Sequence, residues 1–401
     1  MGDNNTGNMI RLQRQRMGMS TTALAARAGC TVRHIELIEQ GKRIPSLPLL
    51  REIAKALGVR TAVLLGESPR ESQEPGRVGV GPIERALFTY KTLSDDAEPP
   101  DVDQLAESVT AARAAWMGSH RRYSILMNQL PKLISDVERL ILNSSGRPDA
   151  ERRACGVAAD AYILARGVLK HFGRIDLAHL AADRAMRYAE QAEDPLMIGG
   201  ALWNLGQSVL ADDMPEVAAD VARKGMEFME PELHDGDERH LAVYGAFHLL
   251  SAIAMTRTGE EQAVRELLSG PTLALARRVD ERVNYGGFAF GPTNVAIHMA
   301  SVAYEQRRPE ALLQIADDVE VSRSPSLERR TTHLGHVARA CEDTGDDAAS
   351  LVYLLRIERE CPEELDYKLS LRDMIRSLGL RARPSWASEV RHLADRHRIA
   401  M

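Results

Sequence analysis

Residues 20–46, STTALAARAGCTVRHIELIEQGKRIPS, leave little freedom in how the start of this 401-residue chain can fold. Leu24, Ala25, Ala28, Ile35 and Ile38 recur at helical spacing and mark the apolar faces of two short helices. Gly29 stands where the first helix must stop and the chain must turn sharply, which glycine does without a Cβ clash. Thr31 follows as a side-chain cap for the second helix. Two helices joined by so tight a turn form a helix-turn-helix, the arrangement that lays its second helix in a major groove. Double-stranded DNA is therefore the first partner to consider.

Charge supports this once it is divided along the chain. Residues 1–66 hold ten Lys/Arg against four Asp/Glu, a net +6, which leaves −12 for the remainder of a chain whose total is −6. A basic module on an acidic body fits a DNA reader joined to a domain that phosphate repels. Aromatic residues make up only 4% of the chain, and Ala and Leu dominate, which favours helix over sheet. Cys30, Cys155, Cys341 and Cys361 are far apart and form no CxxC pair, so the spacing implies neither a metal site nor a disulfide frame. The polar start, Met1 to Asn8, and the lack of a long apolar run predict a cytoplasmic protein that does not engage a membrane.

The periodicity predicts a helix over Met9–Met17, with Ile10 and Leu12 inward and Arg11, Arg14 and Arg16 outward, a second helix that follows Ser20 as its cap, and further helices over Val32–Gln40, Leu47–Leu57 and Thr61–Leu65. In this register Leu24-Ala25, Ala28-Gly29, Ile35, Ile38-Glu39, Gly41-Lys42, Pro45-Ser46, Leu49-Leu50, Ile53-Ala54, Ala56-Leu57-Gly58-Val59 and Leu64-Leu65 resemble the lambda repressor/Cro, or Xre-type, helix-turn-helix family. The resemblance covers residues 9–66 and implies a five-helix DNA-binding domain. It gives Arg33 the role of main base reader, since Arg can grip guanine O6 and N7 together, with Val32 and His34 secondary. Thr21, Thr22, Thr31, Lys42 and Arg43 are placed for phosphates, which set register but not sequence. Two departures matter. Thr21 stands where the family often has Gln, and Glu36 lies on a face commonly turned to DNA. Glu36 either accepts from a cytosine amino group or, the preferred reading, lies to one side and tunes specificity by repulsion. Glu39 is expected to be structural.

Residues 67–82 are rich in Gly, Pro, Ser and Glu and read as a flexible linker. Beyond them, helices are expected over Ile83–Thr92, Val102–Met117 and Arg121–Leu142, the region 83–154 being a helical hairpin suited to dimerisation. From Gly156 onward the chain is weakly self-similar. Small residues follow Gly206 at Ala218, Ala222 and Gly225; Ala178, Ala182 and Ala185 repeat the pattern, as do Ser251 with Ala263 and Leu267, Ala300 with Ala311, and Ala338 with Ala349. Gly173, Gly259 and Gly345 fall in the turns between helices. This spacing resembles the tetratricopeptide repeat, and implies about five degenerate repeats over 155–360 with capping helices at 365–378 and 385–397. The fold class is then all-α: an N-terminal helix-turn-helix domain followed by a tetratricopeptide-like α-solenoid over 155–401. Residues 284–298, NYGGFAFGPTNVAIH, break the repeat as a loop running into a helix. Together with Asp194-Pro195 and Pro325 before Glu328-Arg329-Arg330, this segment resembles large regulators of high-GC bacteria that join the two parts.

The first helix of each repeat is expected to line a concave groove. Asn204, His298 and His336 share a repeat position, His248 is one residue early, and Asn294 lies one turn before His298. These five are the candidate ligand-binding residues, because amide and imidazole groups both donate and accept hydrogen bonds. Each is also a plausible interior residue of the scaffold. Phe288 and Phe290 read equally as an apolar wall or as core. Arg329 and Arg330 read first as a solvated helix start and second as an anion anchor. No GxSxG, phosphate-binding Gly-rich Lys loop or HExxH motif is present, so no enzyme, cofactor or metal is expected. The expected function is a homodimeric transcriptional regulator on a roughly palindromic operator, with a signalling peptide or small molecule as ligand. The alternative is an adaptor whose groove holds a regulatory protein partner.

Overall fold

The computed structural model describes residues 5–16, 19–57, 61–64, 79–88, 98, 100–233 and 237–400. The chain divides into two compact units, Met1–Arg77 and Val78–Met401. Both are helical, with no strand among the described residues. No helix among these residues is long and apolar enough to cross a membrane.

The first unit holds α1 (Asn5–Arg16), α2 (Thr21–Arg27), α3 (Val32–Glu39), α4 (Leu47–Ala56) and α5 (Thr61–Leu64). Helix α1 begins four residues before the expected Met9. Ser20 caps α2 by accepting from Ala23 N at 3.1 Å, and Thr31 caps α3 by accepting from His34 N at 3.3 Å. Gly29 takes φ +66° between them, where any Cβ would be strained. Ile10, Leu24, Ala25, Ala28, Ile35, Ile38, Leu50, Ile53, Ala54, Leu57 and Leu64 form one buried core. Arg14 corrects the expected outward face of α1. It turns inward, and its Nε and Nη2 donate to Glu39 at 2.7 and 2.8 Å while Nη1 donates to Met19 O at 2.8 Å. Met17, Gly58, Val59, Leu65 and linker residues 67–78 lie outside the described residues.

The second unit opens with α6 (Gly81–Leu87), α7 (Val102–Gly118) and α8 (Arg122–Ser144). Helix α6 therefore takes in the last two residues assigned to the linker and ends well short of the expected Thr92. Five helical pairs follow: α9 (Pro148–His171) with α10 (Ile175–Ala192), α11 (Pro195–Ala211) with α12 (Pro215–Met229), and α13 (Glu238–Thr258) with α14 (Glu261–Leu267) and α15 (Leu273–Ala276). The last two pairs are α16 (Pro292–Glu305) with α17 (Pro309–Asp317), and α18 (Leu327–Asp343) with α19 (Asp347–Glu360). Helices α20 (Pro362–Tyr367), α21 (Leu369–Arg381) and α22 (Ala387–Arg396) end the chain. Each pair turns on one left-handed residue: Gly173 (φ 70°), Asp213 (φ 60°), Gly259 (φ 91°), Arg307 (φ 55°) and Gly345 (φ 81°). Sequence spacing finds the three glycines and misses Asp213 and Arg307. Small residues bring the helices close, since a Cβ on Gly225 would overlap the Phe247 ring and one on Gly206 would overlap Leu250. The third pair departs from the expected register: Ala263 is exposed and Val264 is buried in its place.

The ends of this solenoid meet. Tyr123 N and Ser124 N, orphan donors in the first turn of α8, donate to Glu363 Oε2 at 2.8 and 3.3 Å. A carboxylate 240 residues away thus caps a helix that has no local side-chain cap. Beneath it Arg122 and Glu364 form an ion pair at 2.6 Å with both side chains fully buried. Tyr367 stacks on Tyr123 with ring centroids 4.9 Å apart. Residues 83–154 share a continuous core with α9, α10 and the start of α11.

Candidate functional site

In the first unit the recognition face is built by locking α3 from behind. Ile35 and Ile38 anchor its buried side, and Glu39, 8% exposed, is gripped by Arg14. That bidentate pair holds the C-terminal turn of α3 to α1, and the hydrogen bond from Arg14 raises its own pKa. On the opposite side Arg33 and Glu36 are exposed, and Val32 and His34 are half-buried at the N-terminal end of α3. Thr22, Thr31, Lys42 and Arg43 are exposed and Thr21 is half-buried. All nine DNA-contact candidates keep accessible surface on this unit. The arrangement offers one exposed cation, Arg33, one helical turn from a carboxylate, Glu36, with hydroxyls and basic groups at the margins.

In the second unit the ends of the solenoid enclose a cavity of about 760 Å³, counting its open mouth. Its walls come from α7 (Arg113, Trp116, Met117), α9 (Arg166, Lys170, His171), α11 (Trp203, Asn204, Gln207), the 286–288 loop and the start of α18 (Ser326, Glu328, Arg329). Arg166 donates to Asn204 Oδ1, Asn204 Nδ2 donates to Gly200 O at 2.8 Å, and Lys170 Nζ donates to Gln207 Oε1 at 3.5 Å. Burial, reinforced by Arg166, pushes Lys170 down to about 8, and burial pushes Arg166 down to about 10. His171 Nε2 lies 3.3 Å from Glu328, and burial lowers its pKa to about 3, so the imidazole is neutral at pH 7. Burial alone would raise the Glu328 carboxyl, but His171, Arg329, Arg122 and Lys170 together hold it well below the carboxylate range. Phe288 meets Trp203 edge-on at 5.2 Å, and the Arg166 guanidinium lies 5.9 Å from the Trp203 ring.

Of the five ligand candidates, only Asn204 reaches this cavity. His248 is buried against Tyr244 and hydrogen-bonds Thr272 Oγ1 at 3.0 Å. His298 donates from Nδ1 to Asn294 O at 2.8 Å within α16, and burial lowers its pKa to about 3. Asn294 is 1% exposed with neither side-chain polar atom hydrogen-bonded to a described residue. His336 stacks on Tyr304 with centroids 4.1 Å apart. None of these four lines the cavity. Phe288 and Arg329 do line the cavity. Phe290 fills the space left by Gly245, and Arg330 pairs with Glu360 at 2.9 Å. Sequence reasoning missed Arg166 and Lys170, whose signal was available: two cations one turn apart in the apolar second half of α9, residues 161–170. Among the described residues no three His, Cys, Asp or Glu side chains are placed to hold a metal.

Residues 10–64 match the helix-turn-helix family. No curated protein matches the chain. Among solved structures, Bacillus thuringiensis PlcR in complex with the peptide PapR7 and DNA matches with a TM-score of 0.33 and 14% identity, over 88% of this chain and 99% of that one. The apo form of ComR from S. thermophilus matches with a TM-score of 0.28 and 13% identity, again over 88% and 99%. The fold assignment rests on the helices of this chain rather than on these likenesses.

Proposed function

We propose that this chain is a sequence-specific DNA-binding transcriptional regulator, non-enzymatic and cytoplasmic, whose helical body senses a ligand and forms a homodimer. The observation that carries the first part is the α3 face. Arg33 projects from a helix whose far side is held by Ile35, Ile38 and the Arg14–Glu39 pair, inside a segment that matches the helix-turn-helix family. A dimer would place two such helices on half-sites about one DNA turn apart. The ligand, a peptide or small molecule, would enter the body's cavity, which Asn204, of the five candidate ligand residues, lines together with Phe288 and Arg329. The adaptor reading is less well supported, because an adaptor needs an open groove and α8 and α20, toward opposite ends of the body, are tied together.

A gel shift of the full chain on promoter fragments, its own promoter included, tests the proposal. Specific, salt-sensitive retardation is expected. Arg33→Ala should weaken specific binding by about 1–3 kcal/mol while leaving binding to random DNA nearly unchanged. Failure to shift any fragment at low salt refutes the regulator reading.

A further inference from the structure

We propose that the cavity of the helical body binds a compact organic anion: one acidic group carried on an apolar, ring-sized body. The inference rests on the ligand-sensing part of the function proposed above and names the class of ligand.

Charge carries the argument. Arg166, Lys170 and Arg329 line one cavity, and none of the three has a carboxylate partner at ion-pair distance among the described residues. The fourth cation, Arg113, is already paired with Asp160. The single carboxylate of the lining, Glu328, faces a neutral His171 and cannot balance three positive groups. The Arg166 Nε is buried with no hydrogen-bond partner. Desolvated charge without a counter-charge is unfavourable, and an anion entering the cavity removes that penalty where a neutral or cationic molecule does not. Lys170 bears the mark of the imbalance, since its proton is loosened by burial and by Arg166.

The apolar half of the ligand follows from the walls. Trp116, Trp203 and Phe288 flank the cationic groups, and the Trp203 ring adjoins the Arg166 guanidinium. Walls from α7, α9, α11 and the start of α18 close around the space on several sides, which suits a compact molecule rather than an extended polymer. Two sources offer this chemistry, a free small acid and the terminal carboxylate of a short peptide.

The test uses the full chain and two probes that share a ring system. Anilinonaphthalene sulfonate carries an anionic group, and N-phenyl-1-naphthylamine lacks it. Fluorescence titration should give one saturable sulfonate site, at least tenfold tighter than the neutral amine. Arg329→Gln and Lys170→Gln should each weaken the sulfonate at least fivefold at a melting temperature no lower than wild type, and Arg223→Gln, on the exposed face of α12 and outside the lining, should not. Equal affinity for the two probes, or sulfonate binding within twofold of wild type in both cavity variants, overturns the proposal. Displacement is then measured with indole-3-acetate against its amide, and with Gly-Phe-Leu against its C-terminal amide. Displacement by only one of the acids assigns the source, and displacement by acids and amides alike overturns the anion requirement. A gel shift on the same preparation separates the two readings. Intact DNA binding with failed probe arms removes only the anion site, and the reverse removes only the regulator.

Discussion

Glu364→Gln removes the negative half of the ion pair that ties α8 to α20. Arg122 and Glu364 are both 0% exposed and 2.6 Å apart. Glu364 also receives Lys368 at 2.8 Å and the Tyr123 hydroxyl at 3.3 Å. Arg122 has less to fall back on. Its Nε and Nη1 are buried without hydrogen-bond partners, and its guanidinium lies 4.3 Å from the Trp116 ring and 5.0 Å from the Tyr123 ring. Burial lowers the Arg122 pKa, and Glu364 with Tyr123 and Glu328 outweighs that and raises it; a guanidinium does not give up its proton in proteins, so the cation persists when Glu364 is neutralised. An uncompensated buried charge costs about 3–5 kcal/mol, where an exposed pair would cost about 0–1. Tenfold per 1.4 kcal/mol then gives amide exchange in residues 120–126 and 361–368 that is faster by roughly a hundredfold to a few thousandfold. Hydrogen exchange read by mass spectrometry on the full chain measures this segment by segment. Arg122→Met with Glu364→Leu, which removes both charges, should recover most of the protection. Acceleration below about fivefold in the single variant, or an equal rise in every helix of the body, would refute the claim that this pair closes the solenoid.

Three further outcomes follow from the same geometry. Glu39→Gln should cost the first unit about 1.5–3 kcal/mol and weaken DNA binding alike on every sequence; a melt and a gel shift check this, and a selective loss on one operator would contradict it. His298 has its pKa lowered by burial from 6.5 to about 3, so the folded state holds it neutral; stability is complete above pH 6.5 and falls toward pH 3, by about 2 kcal/mol at pH 5. His298→Gln should flatten the dependence of the body's melting temperature on pH by about one proton, and an unchanged slope counts against the assignment. Gly345→Ala should cost about 1–2 kcal/mol through backbone strain alone, because its Cβ would meet nothing within 4 Å, and urea denaturation followed in the 327–360 pair reads it.

The first unit was almost wholly legible because its signals are local. Ser20, Gly29 and Thr31 each act within four residues of their own position, and the apolar register does the rest. The exception, Arg14, was misjudged because its partner Glu39 is 25 residues away. In the body, helix pairs were legible where the turn carries glycine and harder to place where Asp213 or Arg307 adopts the same left-handed backbone. The cavity was not legible as a site. Its cations come from α7, α9 and α18, its rings from α7, α11 and the 288 loop, and only the meeting of the solenoid's ends puts them together. No periodicity encodes that meeting, since Tyr123 and Glu363 are related by nothing but the accumulated rotation of five helical pairs.

That origin makes the cavity and the closure one thermodynamic unit. Trp116 and His171 belong to the opening helices of the body, whereas Ser326, Glu328 and Arg329 belong to α18, next to the segment that caps α8. Glu328 and Lys368 act electrostatically on His171, and Arg122 acts on both Glu328 and Glu364. A ligand that touches Arg166 and Arg329 together therefore spans the first and last repeats and binds the closed form more tightly than an opened one. By linkage, occupancy must raise protection in residues 120–126 and 361–368 by the same factor by which opening lowers affinity. Glu364→Gln, which acts outside the lining, should therefore weaken sulfonate binding, and saturating sulfonate should restore part of the exchange protection that the variant loses. Normal sulfonate affinity in a variant with accelerated exchange would show that the two ends meet without shaping the site.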